Sequence, residues 1–134
     1  MTIAIDFDGT CVTHEYPNIG REIEGCVDVL KELVREGHKL ILYTMRSGEY
    51  LEEAVDWFKE RGIPLWGINK NPTQSAWTKS PKVYANMYID DAACGCPLIY
   101  DNQSGRPFVD WDAVKIILLR NGFINYYKSE SRCD

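Results

Sequence analysis

Several features that would assign a chain to a specialised class are missing from this sequence of 134 residues. No run approaches the roughly 20 apolar residues that a membrane-spanning helix requires. Lysine and arginine form no basic stripe, and the formal net charge is -5, which argues against a module that binds nucleic acid by neutralising phosphates. There is no internal repeat and no low-complexity tract. These absences favour a single globular domain over residues 1–134, with neither a membrane nor a nucleic acid as its partner.

Cysteine is present but follows no recognisable pattern. The five cysteines are an odd number, "CGC" at 94–96 is not a C-x-x-C motif, and neither histidine lies beside it. We interpret the cysteines as reduced thiols, with a zinc or redox site as the alternative. The opening stretch MTIAID lacks the basic region of a signal peptide, so we expect a cytoplasmic location.

Short apolar runs alternate along the chain with segments of helical periodicity. Strands are predicted at 2–7, 38–44, 64–68 and 85–91, with a short fifth strand at 97–100. Helices are predicted at 21–37, 48–61 and 109–119, and a loop at 69–82. The alternation predicts an α/β fold, a Rossmann-like three-layer sandwich with a central, mostly parallel sheet. Its core is expected over about residues 1–122 and a C-terminal tail over 123–134.

Polar side chains stand where the predicted strands end. They are Asp6 and Asp8 after the first strand, Thr44 and Arg46 after the second, and Asp90 and Asp91 after the fourth, with Lys82 shortly before the fourth. Because ligands of open α/β sheets bind outside the carboxyl ends of the strands, these groups are expected to line one site.

The two acids after the first strand suit phosphoryl transfer. Asp6 and Asp8 are two residues apart, which in an extended chain places both side chains on the same side. One carboxylate can attack phosphorus and form an aspartyl-phosphate, while the other moves the proton of the leaving group and of water. Asp90 and Asp91 would add further negative charge beside an anionic phosphate. The site is therefore expected to need a hard cation such as Mg²⁺.

The polar residues at the strand ends, taken in their order along the chain, resemble the motifs of the haloacid dehalogenase-like (HAD) superfamily of phosphohydrolases. "DFDGT" at 6–10 is similar to the first motif, D-x-D-x-T, and Thr44 at the end of "LILYT" is similar to the second. Lys82 in "KVYANMYIDD" resembles the catalytic lysine of the third motif, and the acids at 90–91 resemble the fourth.

The resemblance covers residues 1 to about 115 and implies a Mg²⁺-dependent phosphatase that hydrolyses phosphoric monoesters. Asp6 would be the nucleophile and Asp8 the general acid/base. The metal ligands that it implies are Asp6, the backbone carbonyl of Asp8, and Asp90, with Asp91 assisting. The dehalogenase branch of the family lacks the second acid of the first motif, so Asp8 favours phosphoryl transfer.

The sequence predicts the residues that bind the substrate, but not which phosphorylated compound the substrate is. The residues assigned to substrate binding are Gly9, Thr10, Thr44 and Arg46. Neither gap between the motifs is long enough for a cap domain, so the chain resembles a capless member of the family. We expect a small phosphorylated substrate. A homo-oligomer stays open, because capless members also use a neighbouring subunit as a lid.

Several assignments keep an alternative. Asp8-Gly9 also has the sequence of a hairpin turn, and a small flap hairpin after it would satisfy both interpretations. The lysine of the third motif could be Lys79 instead of Lys82, and Arg46 could be a phosphate clamp or a surface charge. Thr44 could hydrogen-bond a phosphate oxygen or be an ordinary strand residue. Trp77 could be a platform for the substrate or a core residue.

Two other functions are weighed against the phosphatase. A receiver-like signalling domain also combines an acid cluster, Mg²⁺ and a phosphorylated aspartate, but its acid pair belongs to the first strand, whereas the adjacent pair of this chain comes late. A non-catalytic HAD-like binding protein is the second alternative, and the presence of all the motif acids disfavours it.

Overall fold

The computed structural model describes residues 1–125. The strands are β1 (Thr2–Ile5), β2 (Lys39–Leu42), β3 (Gly67–Ile68), β4 (Met87–Ile89), β5 (Leu98–Ile99) and β6 (Phe108–Val109). The helices are α1 (Cys26–Arg35), α2 (Gly48–Glu60) and α3 (Trp111–Arg120), with one 3-10 turn at Gln74–Ala76. None of the helices in this part of the chain is long and apolar enough to cross a membrane.

Four strands form a parallel sheet in the order β3-β2-β1-β4. β1 pairs with β2 from Thr2 opposite Lys39 to Ile5 opposite Leu42, and with β4 on its other side. β5 and β6 form a separate antiparallel pair. The parallel sheet and the three helices confirm the predicted α/β class and are consistent with a Rossmann-like fold.

The two faces of the sheet are covered unequally. Because side chains alternate along a strand, Ile3 and Ile5 face the opposite side from Ala4. The main core joins one face to all three helices through Ile3, Ile5, Leu40, Leu42 and Ile89 of the sheet, Leu30 of α1, Phe58 of α2 and Leu118 of α3. The buried apolar residues outside this core are Ala4, Ile41, Val83 and Ala85. They mark the second face, which the segment 69–86 crosses.

This arrangement differs from the predicted three-layer sandwich, in which helices cover both faces. The chain moves in one direction across the sheet from β1 to β2 to β3, so right-handed crossovers place α1 and α2 on the same face. The return from β3 to β4 runs the other way and crosses the second face, and its one helical element is the short 3-10 turn. α3 packs beside α1.

Residues 11–23 form a flap between β1 and α1. The N–H of Thr13 donates to the carbonyl of Arg21 at 2.9 Å, and the N–H of Ile23 donates to the carbonyl of Cys11 at 3.0 Å. Gly25, with a φ of 88°, then ends the flap. The prediction that the first helix starts at residue 21 is therefore wrong. Residues 21 and 23 use their backbone groups to pair with residues 13 and 11 across the flap, and α1 starts at Cys26.

The end of the chain is also packed further than expected. Phe123 and Ile124 are buried in the main core, so the core continues beyond the predicted boundary at residue 122. The rest of the predicted tail, from residue 126, lies outside the described residues.

The cysteines that the structure describes are free thiols, in agreement with the reduced state expected from the sequence. They are Cys11, Cys26, Cys94 and Cys96. Cys133 lies outside the described residues.

A buried hydrogen bond ties α3 to the loop after β1. The indole N–H of Trp111 donates to the carbonyl of Thr10 at 2.7 Å. Trp111→Phe leaves that carbonyl buried without this donor, so we expect the free energy of unfolding to fall by about 1–3 kcal/mol more than the smaller ring accounts for. Urea denaturation measures the change. The matched control is Trp57→Phe, a buried tryptophan whose indole makes no hydrogen bond within residues 1–125. Equal losses in the two variants would contradict the expectation.

Candidate active site

Three carboxylates meet at the carboxyl edge of the parallel sheet. Asp6 directly follows β1, and Asp90 and Asp91 directly follow β4. The N–H of Asp6 donates to the carbonyl of Ile89 at 3.0 Å, so the ladder continues one residue beyond the strands. One oxygen from each carboxylate lies within 4.8 Å of the others. A cluster of this size and donor type fits a hard divalent cation such as Mg²⁺, which is bound through carboxylate oxygens.

Thr10 connects the acids of the two strands. Its hydroxyl donates to Oδ2 of Asp6 at 2.9 Å and accepts the N–H of Asp91 at 3.1 Å. The side chain has no exposed surface. The predicted contact between Thr10 and a substrate does not fit this burial. The residue instead fixes the orientation of the carboxylates.

Gly9 is required by the backbone and by the space around it. Its φ of 83° lies in the left-handed region that favours glycine. A Cβ atom at this position would collide with Nε2 of His14 and would lie 2.6 Å from Oδ2 of Asp91. Gly9 therefore makes the tight turn that its sequence predicts and also allows the flap to approach the acid cluster.

His14 is a site residue that the sequence interpretation missed. Its Nε2 lies 2.8 Å from Oδ2 of Asp91, and the two side chains are only 13% and 10% exposed. The flap carries His14 to this position. A histidine shortly after a D-x-D motif has no diagnostic spacing, and only the fold of the flap shows its contact with the cluster.

The side chain of Asp8 pairs with Arg46 and not with the three-acid cluster. Both of its oxygens accept hydrogen bonds from Arg46, each at 2.8 Å. The remaining N–H groups of Arg46 donate to the carbonyls of Pro17, Asn18 and Tyr50. Arg46 is 2% exposed, with all five donors used. The hydrogen bonds to Asp8 raise the pKa of the guanidinium above its ordinary value.

Two predicted roles change as a result. Arg46 is neither a surface charge nor a free phosphate clamp, because its donors bind Asp8 and the flap. The carboxylate of Asp8 is not a member of the three-acid cluster, so the predicted metal contact of Asp8 is limited to its backbone carbonyl. Sequence alone could not pair these residues, which are 38 positions apart.

Within the part of the chain that the structure describes, Thr44, Lys79 and Lys82 make no hydrogen bond or ion pair with the acids. The hydroxyl of Thr44 accepts the backbone N–H of Arg46 at 3.1 Å, and the backbone N–H of Thr44 donates to the side-chain oxygen of Asn69. The Lys82 ammonium lies 5.7 Å from the centre of the Tyr88 ring. Within residues 1–125, neither Lys82 nor Lys79 forms an ion pair. Their assignment to the third motif therefore stays a prediction.

Crowding of the carboxylates changes the protonation of Asp6. Burial raises the pKa of Asp6 from 3.8 to about 8, and a hydrogen bond with Asp91 and the charge of Asp90 act in the same direction. The Thr10 hydroxyl opposes this rise. Without a cation, the cluster therefore retains a proton well above the ordinary range of a carboxyl group.

Comparison with known proteins adds a relative of known structure. No protein-family model matches the chain, and no curated protein matches it. The chain is similar to the solved structure of a conserved protein coded by a locus from Bacteroides thetaiotaomicron, with 37% sequence identity and a TM-score of 0.72. The match covers 90% of this chain and 91% of that one. At this identity and coverage, the chain belongs to the same family as that conserved protein.

The raised pKa of Asp6 predicts how metal-free stability depends on pH. Between pH 3.8 and about 8 the folded protein holds a proton that the unfolded chain releases, so a rise in pH through this range favours unfolding. We expect the free energy of unfolding of Asp6→Asn to equal that of the parent at about pH 4. At about pH 8 we expect it to be higher than that of the parent by on the order of a few kcal/mol. Denaturation in EDTA across this range measures the difference. The control is Asp56→Asn on the exposed face of α2, and parallel curves for parent and Asp6→Asn would contradict the expectation.

The hydrogen bonds of Arg46 predict a large cost for its conservative replacement. Lysine keeps the charge but cannot reproduce the bidentate bond to Asp8 or the contacts with three carbonyls. We expect Arg46→Lys to lower the free energy of unfolding by more than about 2 kcal/mol, because each buried carbonyl that loses its donor costs about 1–3 kcal/mol. Arg21→Lys, which changes an exposed pair with Asp101, should cost less than about 1 kcal/mol. Urea denaturation measures the free energy of unfolding of both variants. Similar losses in Arg46→Lys and Arg21→Lys would show that the buried hydrogen bonds of Arg46 add no stability.

Proposed function

We propose that the chain is a capless HAD-like phosphohydrolase, a Mg²⁺-dependent phosphomonoesterase that works through an aspartyl-phosphate on Asp6. The observation that carries this proposal is the meeting of Asp6 with Asp90 and Asp91 at the carboxyl edge of the sheet, around the buried hydroxyl of Thr10. These are the acids expected from the motif order. We also propose a cytoplasmic location and a small phosphorylated substrate.

The acid cluster would hold the cation. Asp6 and Asp90, with Asp91 assisting and the carbonyl of Asp8 completing the protein ligands, fit the preference of Mg²⁺ for oxygen. When bound, Mg²⁺ neutralises the carboxylates and polarises a phosphoryl oxygen. The chain itself supplies the fixed geometry, because Thr10 holds one oxygen of Asp6 and so sets the direction of the other.

Asp6 and Asp8 divide the covalent chemistry. An oxygen of Asp6 forms a bond to phosphorus while the bond from phosphorus to the leaving oxygen breaks, and the protonated form of Asp8, which the later hydrolysis step regenerates, gives that oxygen its proton. Asp8 then takes a proton from the water that attacks the aspartyl-phosphate, which releases inorganic phosphate and restores Asp6. The side chain of Asp8 is 17% exposed, whereas the Arg46 side chain is almost fully buried. Arg46 therefore holds Asp8 through both oxygens while part of the carboxylate stays exposed.

The sheet order bears on the receiver alternative. Receiver domains have the order 2-1-3-4-5, in which the third strand lies beside the first. Here β4 lies beside β1, and β3 is at the edge beyond β2. The topology therefore favours the phosphohydrolase over a receiver-like domain.

The proposed function is tested with a generic aryl phosphate. We expect hydrolysis with Mg²⁺, background rates with EDTA, and background rates for Asp6→Asn with Mg²⁺, because the nucleophile and a metal ligand are lost together. Asp56→Asn on the exposed surface of α2 is the matched control and should keep the parental rate. Full activity of Asp6→Asn, or full activity in EDTA, would refute the mechanism.

A further inference from the structure

Four aromatic side chains of the described residues form an exposed group on the thinly covered side of the sheet. We define the aromatic wall as Tyr43, Trp77, Tyr84 and Tyr88, which are 37%, 65%, 44% and 37% exposed. The exposure of Trp77 excludes the core role that the sequence left open. Grouped apolar surface of this kind on a soluble domain commonly marks a binding site.

The strand register places the wall next to the acids. Ala4 is opposite both Tyr88 and Ile41. Two residues further along the strands, Asp6 therefore lies between Asp90 and Tyr43, and these side chains face the same side as Ala4. The N–H of Tyr43 donates to the carbonyl of Ile5 at 2.8 Å, which confirms that the row is continuous. The wall thus begins beside the proposed nucleophile.

Hydrogen bonds and ring contacts hold the wall in place. The hydroxyl of Tyr88 donates to the carbonyl of Val83 at 2.6 Å and accepts the N–H of Ala85 at 3.1 Å. The ring centres of Tyr43 and Tyr88 are 6.3 Å apart. Trp77 meets Tyr84 edge-on, at 5.6 Å and 85°. An edge-on contact leaves ring faces available to a flat ligand.

A groove of about 360 Å³ runs along the wall, between Trp77 and Tyr88. This volume is at the lower end of the range for small-ligand sites. Lys82, Thr78 and Ser80 also line it. The hydroxyls of Thr78 and Ser80 accept backbone N–H groups, so their O–H groups remain to donate to a ligand. The groove combines ring faces with hydrogen-bond donors and one positive charge.

We propose that the groove binds the base of a nucleoside monophosphate whose phosphate lies at Asp6. This assignment rests on the proposed function and names its substrate class. A flat heteroaromatic base stacks on exposed aromatic rings, and its ring nitrogens and carbonyls accept hydrogen bonds from Thr78 and Ser80. A free mononucleotide fits better than a nucleic acid chain, because the groove admits one base and the net charge is -5.

The test compares adenosine 5′-monophosphate with ribose 5-phosphate, which has the same sugar and phosphate but no base. We expect the parent to prefer the nucleotide by about 10- to 100-fold in kcat/KM, mainly through KM. Trp77→Ala should remove most of this preference, and Trp77→Phe should restore part of it. Tyr100→Ala, which changes an exposed aromatic residue outside the wall, is the control and should keep the ratio of the parent.

The outcomes separate the two proposals. If both esters are hydrolysed with equal kcat/KM, or if the ratio is the same in Trp77→Ala and Tyr100→Ala, base recognition is overturned while the phosphatase stands. If the aryl phosphate is hydrolysed but neither of these esters is, base recognition is overturned while the phosphatase stands. If the aryl phosphate is not hydrolysed either, the proposed function fails, and tryptophan fluorescence tests base binding directly. Quenching by adenosine 5′-monophosphate that Trp77→Ala abolishes supports the groove, and its absence overturns it. A dimer that Trp77→Ala dissociates, without nucleotide preference, would assign the wall to contact between two copies and would also overturn the proposal.

Discussion

Electrostatic repulsion between Asp6 and the Asp90–Asp91 pair is the constraint on which the architecture of the site depends. Two adjacent parallel strands end together and hold the three carboxylates within 4.8 Å. The pKa of Asp6 is raised to about 8, mainly by burial and then by the hydrogen bond with Asp91 and the charge of Asp90, so repulsion adds to the cost of burying this carboxylate. The Thr10 hydroxyl offsets part of this cost. A divalent cation would offset more, because it replaces repulsion between the carboxylates with attraction to a common charge. On this account, the site is assembled by the sheet and completed by the metal.

Arg46 separates the second acid of the motif from this cluster. Its guanidinium binds both oxygens of Asp8 and three carbonyls from the flap and α2. This pairing keeps the carboxylate of Asp8 out of the acid cluster. It also attaches the flap, and so His14, to the rest of the site. One buried arginine therefore links the orientation of the proposed proton carrier to the position of the segment that lies over the acids.

The positions of Asp6, Asp90 and Asp91 could be predicted because strand ends are local features, and parallel strands must bring them to one edge. The unequal covering of the sheet cannot be predicted in this way, because it depends on the direction in which the chain crosses between strands. The pairing of Asp8 with Arg46 and the contact of His14 with Asp91 also escaped prediction, because each joins residues distant in sequence. The helix expected from residue 21 begins at Cys26, because the flap competes for the same backbone groups.

The most direct measurement of the central claim is capture of the covalent intermediate. The parent would be quenched in acid during turnover of an aryl phosphate with Mg²⁺ and digested with pepsin at low pH, which preserves an acyl phosphate. The peptide that contains Asp6 would then be analysed by fragmentation mass spectrometry. We expect a phosphoryl group on Asp6, formed within a single turnover and absent when EDTA is added first. Turnover with no phosphorylated peptide, or a phosphoryl group located on another residue, would contradict it.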